Sequence, residues 1–123
     1  MQLLWQQTQP HAPKNLCGYF VALLGIEEVH LLNLAVPPQH QHKGCARLLL
    51  QHLCNHARQH QAQHLWLEVR QSNTRTCNIY SRFGFQTIAI RKNYYPTPTG
   101  EREHAIVMCM NLALAMTTKQ PSL

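Results

Sequence analysis

The residue pattern predicts an α/β domain whose centre is built by parallel crossovers. Three observations carry that expectation: apolar runs of strand length, an amphipathic helix between two of them, and a second, shorter helix followed by another strand. Leu3 to Gln7 reads as a short strand, and Thr8 to Asn15, rich in Gln, Pro and His, as a loop. The apolar run Leu16 to Leu24 is punctuated by Gly25, and Glu27-Glu28 marks a turn. His30 to Val36 has few polar breaks, the pattern of a strand buried on both faces, and Pro37-Pro38 stops it.

A helix follows from about Lys43. Ala46, Leu49, Leu50, Leu53, Cys54 and Ala57 recur at three- and four-residue spacing, while Arg47, Gln51, His52, His56 and Arg58 take the other face. In His64 to Arg70, Leu65, Leu67 and Val69 alternate with Trp66, Glu68 and Arg70, a period of two that specifies a strand. Ser72 or Asn73 caps a short helix that ends near Phe83, with Gly84 at its C-terminus. Phe85 to Arg91 and Ala105 to Leu112 read as two more strands, separated by a loop from Asn93 to Glu103. The domain therefore spans 1–112, and 113–123 reads as a loose tail.

Composition narrows the chemistry. The chain has 123 residues, 45% of them hydrophobic and 13% charged, with a formal charge of +6. All five acidic residues are glutamate (Glu27, Glu28, Glu68, Glu101, Glu103), so aspartate-built calcium loops, Walker-type magnesium sites and aspartate dyads are excluded. Any catalytic carboxylate comes from that short set. Five unevenly spaced cysteines without a C-x-x-C pair argue against a disulfide framework or a zinc ribbon, and predict reduced thiols. His52, His56 and His60 repeat at four-residue spacing, but no Cys, Asp or Glu completes a tetrahedral metal set, and they read as a solvated helix face. The basic residues are scattered, so direct nucleic-acid binding is not expected. Without an export signal or a bilayer-length apolar run, the reading is a soluble protein of the cytoplasm.

The most informative stretch is Val36 to Leu50, where a strand ends, two prolines turn the chain, and Gln41-His42-Lys43-Gly44-Cys45-Ala46 leads into a helix. The first N–H groups of a helix lack intrahelical partners and sit at the positive end of its dipole, which suits them to phosphate. Gly44 and Ala46 keep bulk away from that backbone, and Lys43 and Arg47 add positive charge. The same residues can equally serve tight packing. Glu68 can be a carboxylate paired with Arg70 or Lys43, Tyr80 a core aromatic, and Asn73 simply an N-cap.

Gln41-x-x-Gly44-x-Ala46 resembles the Gln/Arg-x-x-Gly-x-Gly/Ala signature of the GNAT family of N-acetyltransferases. The segments Leu31-Leu32-Asn33-Leu34-Ala35-Val36, Leu65 to Arg70 with Ser72-Asn73, Tyr80-x-x-x-Gly84-Phe85 and Arg91-x-Asn93-Tyr94-Tyr95-Pro96-Thr97 more narrowly resemble its bacterial ribosomal-protein-alanine branch. That resemblance implies a mixed central sheet flanked by helices, with acetyl-CoA as co-substrate and the N-terminal alanine amine of a small-subunit ribosomal protein as acceptor. It implies that the backbone of Leu34, Ala35 and Val36 pairs with the pantetheine arm. Gln41, His42, Lys43, Gly44, Cys45, Ala46 and Arg47 would hold the pyrophosphate, and Asn73 would also contact CoA. Glu68 would be the general base and Tyr80 the general acid, with no metal required. Family members carry a strand and two helices ahead of the segment that begins here, so the expectation is an N-terminally incomplete domain. Its exposed apolar surface would favour self-association. Another amine acceptor, or a CoA-binding remnant without turnover, are the competing readings.

Overall fold

In the computed structural model the described residues are 2–8, for which only the backbone path is given, 18–37, 41 and 44–112. The strand of residues Gln2–Thr8 (β1) is followed by β2 (Gly18–Leu24) and β3 (Glu28–Ala35), which form an antiparallel meander. Helix α1 (Cys45–Gln59) crosses to β4 (His64–Arg70), and α2 (Thr74–Phe83) leads to a hairpin of β5 (Gln86–Pro96) and β6 (Arg102–Asn111). The sheet order is β1-β2-β3-β4-β6-β5.

The crossovers through α1 and α2 leave β3, β4 and β5 parallel, as the element order predicts, although among the described residues β3–β4 is the one directly paired parallel couple. After α2 the chain returns one strand further out, and β6 fills the slot, pairing antiparallel with β4 on one side and β5 on the other. The hairpin buries Met108 and Met110 of β6 in the core, an apolar gain that a direct β4–β5 pairing would forgo.

Both helices cover one face of the sheet. Leu49, Leu50, Leu53, Cys54 and Ala57 of α1 pack with Phe20, Ala22, Val29, Leu31, Leu65, Leu67 and Met108 in a single cluster that also takes in Tyr80 and Phe85. Each fully buried leucine contributes roughly 1.5–3 kcal/mol to that core. The alternate residues of β3 are not equally covered: Leu32 is 54% exposed, so the strand is not buried on both faces as its run of apolar residues predicts. Among the described residues no element lies over that second face.

Two helix boundaries follow directly from local chemistry. Asn73 caps α2, its side-chain oxygen accepting from the Thr76 N–H at 3.3 Å, and Gly84 ends it at φ +132°. At the other helix, Gly44 precedes α1 at φ +80°, where an L side chain is disfavoured.

The hairpin departs from expectation. β5 does not stop at Arg91 but continues to Pro96, with a register shift between Arg91 and Tyr95. Asn93, one of the few non-glycine residue types that tolerate left-handed backbone, sits at φ +54° in the irregularity. Arg102 donates to the carbonyls of Asn93 and Tyr94, both at 2.9 Å, satisfying acceptors that the shifted ladder leaves open. This device keeps the Tyr94-Tyr95 pair in the sheet rather than in a loop.

Gly18 admits no side chain. A Cβ there would fall against the carbonyl oxygen of Ala35 on β3 and lie 2.8 Å from Cδ1 of Leu49. Gly18→Ala is expected to destabilise the chain by about 1–3 kcal/mol through overpacking. Thermal unfolding followed by circular dichroism should show the loss as a lower Tm; an unchanged Tm would mean that β3 yields without cost.

Candidate active site

The seam between β3 and β4 is short. Pairing runs from Glu28↔His64 to Leu31↔Leu67, yet β3 continues to Ala35 and β4 to Arg70. Beyond Leu31 the two strands part, and the β4-facing backbone groups of Leu32 to Ala35 have no ladder partner among the described residues. Backbone N–H and C=O groups need partners, so this opening is a ready-made place for an extended polar chain to lie.

Next to the opening is a cavity of about 830 Å³, bounded by the end of β3, the first turn of α1 and the length of α2. It brings together Leu34, Val36, Gln41, Gly44, Cys45, Ala46, Arg47, Asn73 and Tyr80. Ala35 is not among the lining residues; it pairs with Tyr19 on β2. His42 and Lys43 lie outside the described residues. The first turn of α1 carries no acidic residue and Gly44 no side-chain cap, so its positive end is not neutralised locally. A Cβ on Gly44 would meet nothing within 4 Å, which leaves open space over the first N–H groups of the helix.

Gln41 is engaged at both ends of its amide. Its Nε2 donates to the Val36 carbonyl at 3.2 Å, and its Oε1 accepts from Arg75 of α2 at 2.8 Å, tying the end of β3 to α2. Cys45 is buried and disulfide-bonded, whereas Cys54, Cys77 and Cys109 are free. Its side chain is turned inward, which leaves its backbone as the part able to meet a ligand. On the histidine face of α1, His56 is half-buried, its ring 6.3 Å from that of Phe20, edge to face, whereas His60 is exposed.

Tyr80 is buried against Phe85, ring centroids 5.6 Å apart. Burial, and next to it the neighbouring Cys77 and Tyr95, push its phenol up to about 12, so it stays protonated throughout the physiological range. Among the described residues its hydroxyl makes no hydrogen bond.

Glu68 lies one residue past the last β3–β4 pair, on the partly exposed side of β4. Its Oε2 accepts from Arg91 at 2.7 Å and its Oε1 from the Tyr94 hydroxyl at 3.3 Å. Of the partners weighed from sequence, Arg70 does not hold it, and Lys43 lies outside the described residues. Arg70 turns instead to Glu103 at 3.0 Å, and Glu103 also accepts from the Ser72 N–H at 3.0 Å. The Ser72 side chain, then Arg70 and the Ser72 N–H, hold the Glu103 carboxyl below its ordinary value. Tyr95 links the two candidate catalytic groups: burial raises its phenol, and the charge of Glu68 raises it further, while Tyr95 in turn acts on Tyr80.

Arg91 and Arg75 were not singled out as functional by sequence reasoning. The signal for Arg91 was its place in the Arg91-x-Asn93-Tyr94-Tyr95 segment; for Arg75 there was none.

The acetyltransferase (GNAT) family model matches residues 7–85. The chain belongs to this family. A relative from Haemophilus ducreyi, a ribosomal protein bS18-alanine N-acetyltransferase, is 44% identical over 98 residues, which cover 80% of this chain and 68% of that protein. The Escherichia coli protein of the same name is 37% identical over 100 residues, covering 81% of this chain and 67% of its own length. The crystal structure of the ribosomal-protein-S18-alanine N-acetyltransferase from Escherichia coli superposes with a TM-score of 0.78 at 37% identity, over 89% of this chain and 69% of that one.

Acetyl-CoA is the co-substrate of GNAT enzymes. The residues here suit it: an unpaired strand backbone for a pantetheine arm, and beside it an uncapped helix N-terminus, reached over an open glycine, for a pyrophosphate.

Proposed function

We propose that this chain transfers the acetyl group of acetyl-CoA to the N-terminal alanine amine of ribosomal protein bS18, the acceptor named for its relatives. What supports the reading is a carboxylate, Glu68, on β4 just past the end of the β3–β4 pairing, and a protonated phenol, Tyr80, on α2 in the wall of the adjoining cavity. An acceptor of this kind puts the reaction in the cytoplasm, and no described helix is long and apolar enough to cross a membrane.

Bound acetyl-CoA supplies an acyl group activated as a thioester. Leu34 and Ala35 at the end of β3, with Val36 just past it, offer the pantetheine arm the backbone groups left over by β2 and by the Gln41 bond to the Val36 carbonyl. The N–H groups of Cys45, Ala46 and Arg47 meet the pyrophosphate, with the Arg47 guanidinium adding charge, and His42 and Lys43 complete that loop in sequence. The cap bond of Asn73 uses only its oxygen, so its amide nitrogen remains for CoA. An α-amine with a reference pKa of about 7.7–8.0 is mostly protonated at neutral pH, and Glu68 takes its proton, directly or through water. Glu68 passes that proton on to water; as the new C–N bond forms the nitrogen loses its second proton, the C–S bond breaks, and CoA leaves as a thiolate with the charge on sulfur. Tyr80 donates its O–H to that sulfur.

The test is acetyl transfer read by mass spectrometry, with acetyl-CoA and a peptide copying the alanine-starting terminus of bS18, and binding of acetyl-CoA by calorimetry alongside. The expected result is the mass gain of one acetyl group on the peptide α-amine. Binding without that gain would overturn the assignment of the acceptor.

A further inference from the structure

Glu68 and Arg91 stand on strands that do not touch. β6 runs between β4 and β5, and in register Glu68 faces Val107 while Arg91 faces Ala105, two residues further along the same face. The Arg91 guanidinium nevertheless reaches back to Glu68 at 2.7 Å, crossing a row that Ala105, with its single methyl group, leaves low. It lies over the ring of Tyr94 as well, 4.1 Å from the centroid, and Tyr94 donates to the other carboxylate oxygen at 3.3 Å. The three side chains close a triangle in which each touches the other two.

A surface ion pair of this kind contributes little to stability, and its geometry here has another use. A free glutamate has three rotatable bonds; one gripped on both oxygens has a fixed plane and a fixed distance from the strand opening. We infer that Arg91 is the positioning residue of the general base: stacked on Tyr94, it holds the Glu68 carboxylate in the orientation that receives the acceptor's proton. Arg91 touches neither substrate and acts through Glu68. A guanidinium fits the task because its planar fork can stack on a ring and donate along its edge at once.

The inference rests on Glu68 being the base, and the experiment separates the two. Steady-state kinetics on the bS18 peptide would be measured for Glu68→Gln, Arg91→Met, Arg91→Lys and the double variant Glu68→Gln with Arg91→Met. Expected for Arg91→Met is a kcat lower by about 10- to 100-fold, with the KM for acetyl-CoA unchanged. Arg91→Lys, which returns a cation of shorter reach, should recover part of the loss. The double variant should be no slower than Glu68→Gln alone, because a residue that works through Glu68 has nothing left to position. An Arg91→Met enzyme with wild-type or higher kcat, or a double variant whose losses multiply, would overturn the inference. Full activity in Glu68→Gln would instead overturn the assignment of the base.

Discussion

Glu68→Gln should lower acetyl transfer at pH 7 by about 10²- to 10⁴-fold, the range that a positioned general base supplies. The substitution keeps the shape of the side chain and removes its capacity to take a proton. Affinity for acetyl-CoA should be unaffected, because Glu68 is not among the residues that line the cavity. The deficit should also shrink as the pH rises. With a reference pKa of about 7.7–8.0, only about a tenth of the α-amine is free at pH 7 and most of it at pH 9, so about tenfold of the deficit is recovered there; the rest, which reflects removal of the second proton as the C–N bond forms, remains. Rates of peptide acetylation measured from pH 6.5 to 9.5 give both results. A constant ratio of variant to parent across that range would remove Glu68 from the proton path.

Tyr80→Phe should leave the fold intact and still reduce kcat by about 10²-fold or more. The ring that packs edge-on against Phe85 is retained, and the hydroxyl that is lost has no hydrogen bond within the described residues. Calorimetric affinity for CoA and the Tm should therefore stay close to the parent values. A phenol pushed up to about 12 lies well above a thiol at about 8.5. Tyr80 thus acts by donating a hydrogen bond to the sulfur while charge grows on it, rather than by giving up its proton to equilibrium. It follows that ionisation of Tyr80 puts no downward limb on the parent's pH–rate profile below about pH 10. A Tyr80→Phe enzyme with parental kcat would rule out this role.

What could be read from residues alone was local. The stripe Leu49, Leu50, Leu53, Cys54 and Ala57 specifies α1, and Asn73 and Gly84 fix the ends of α2, because periodicity and caps act within a few residues. The alternation in His64 to Arg70 likewise gives β4 and places Glu68 on the face opposite Leu67. The partners of Glu68 were not legible in the same way. Arg91 is 23 residues away in sequence and reaches Glu68 only because β6 inserts between β4 and β5 and the Asn93 irregularity brings Tyr94 round. Strand order and register shifts are tertiary outcomes that no local pattern encodes. The reading of β3 as buried on both faces erred for a related reason: hydrophobicity records what a strand tolerates, and the position of the helices decides which face they cover.

The short seam between β3 and β4 has a thermodynamic consequence. Four residue pairs join a three-stranded meander to a three-stranded remainder, and past them the two halves share no ladder. A molecule that lies in the opening and bonds to both edges completes the sheet, and only the folded chain presents those edges together. Occupancy and folding are then linked: at a ligand concentration of 100 Kd the folded state gains about 2.7 kcal/mol. On the proposed reading the free protein carries its binding site as an unfinished part of its own architecture, and the co-substrate, while it stays, would serve as the missing strand.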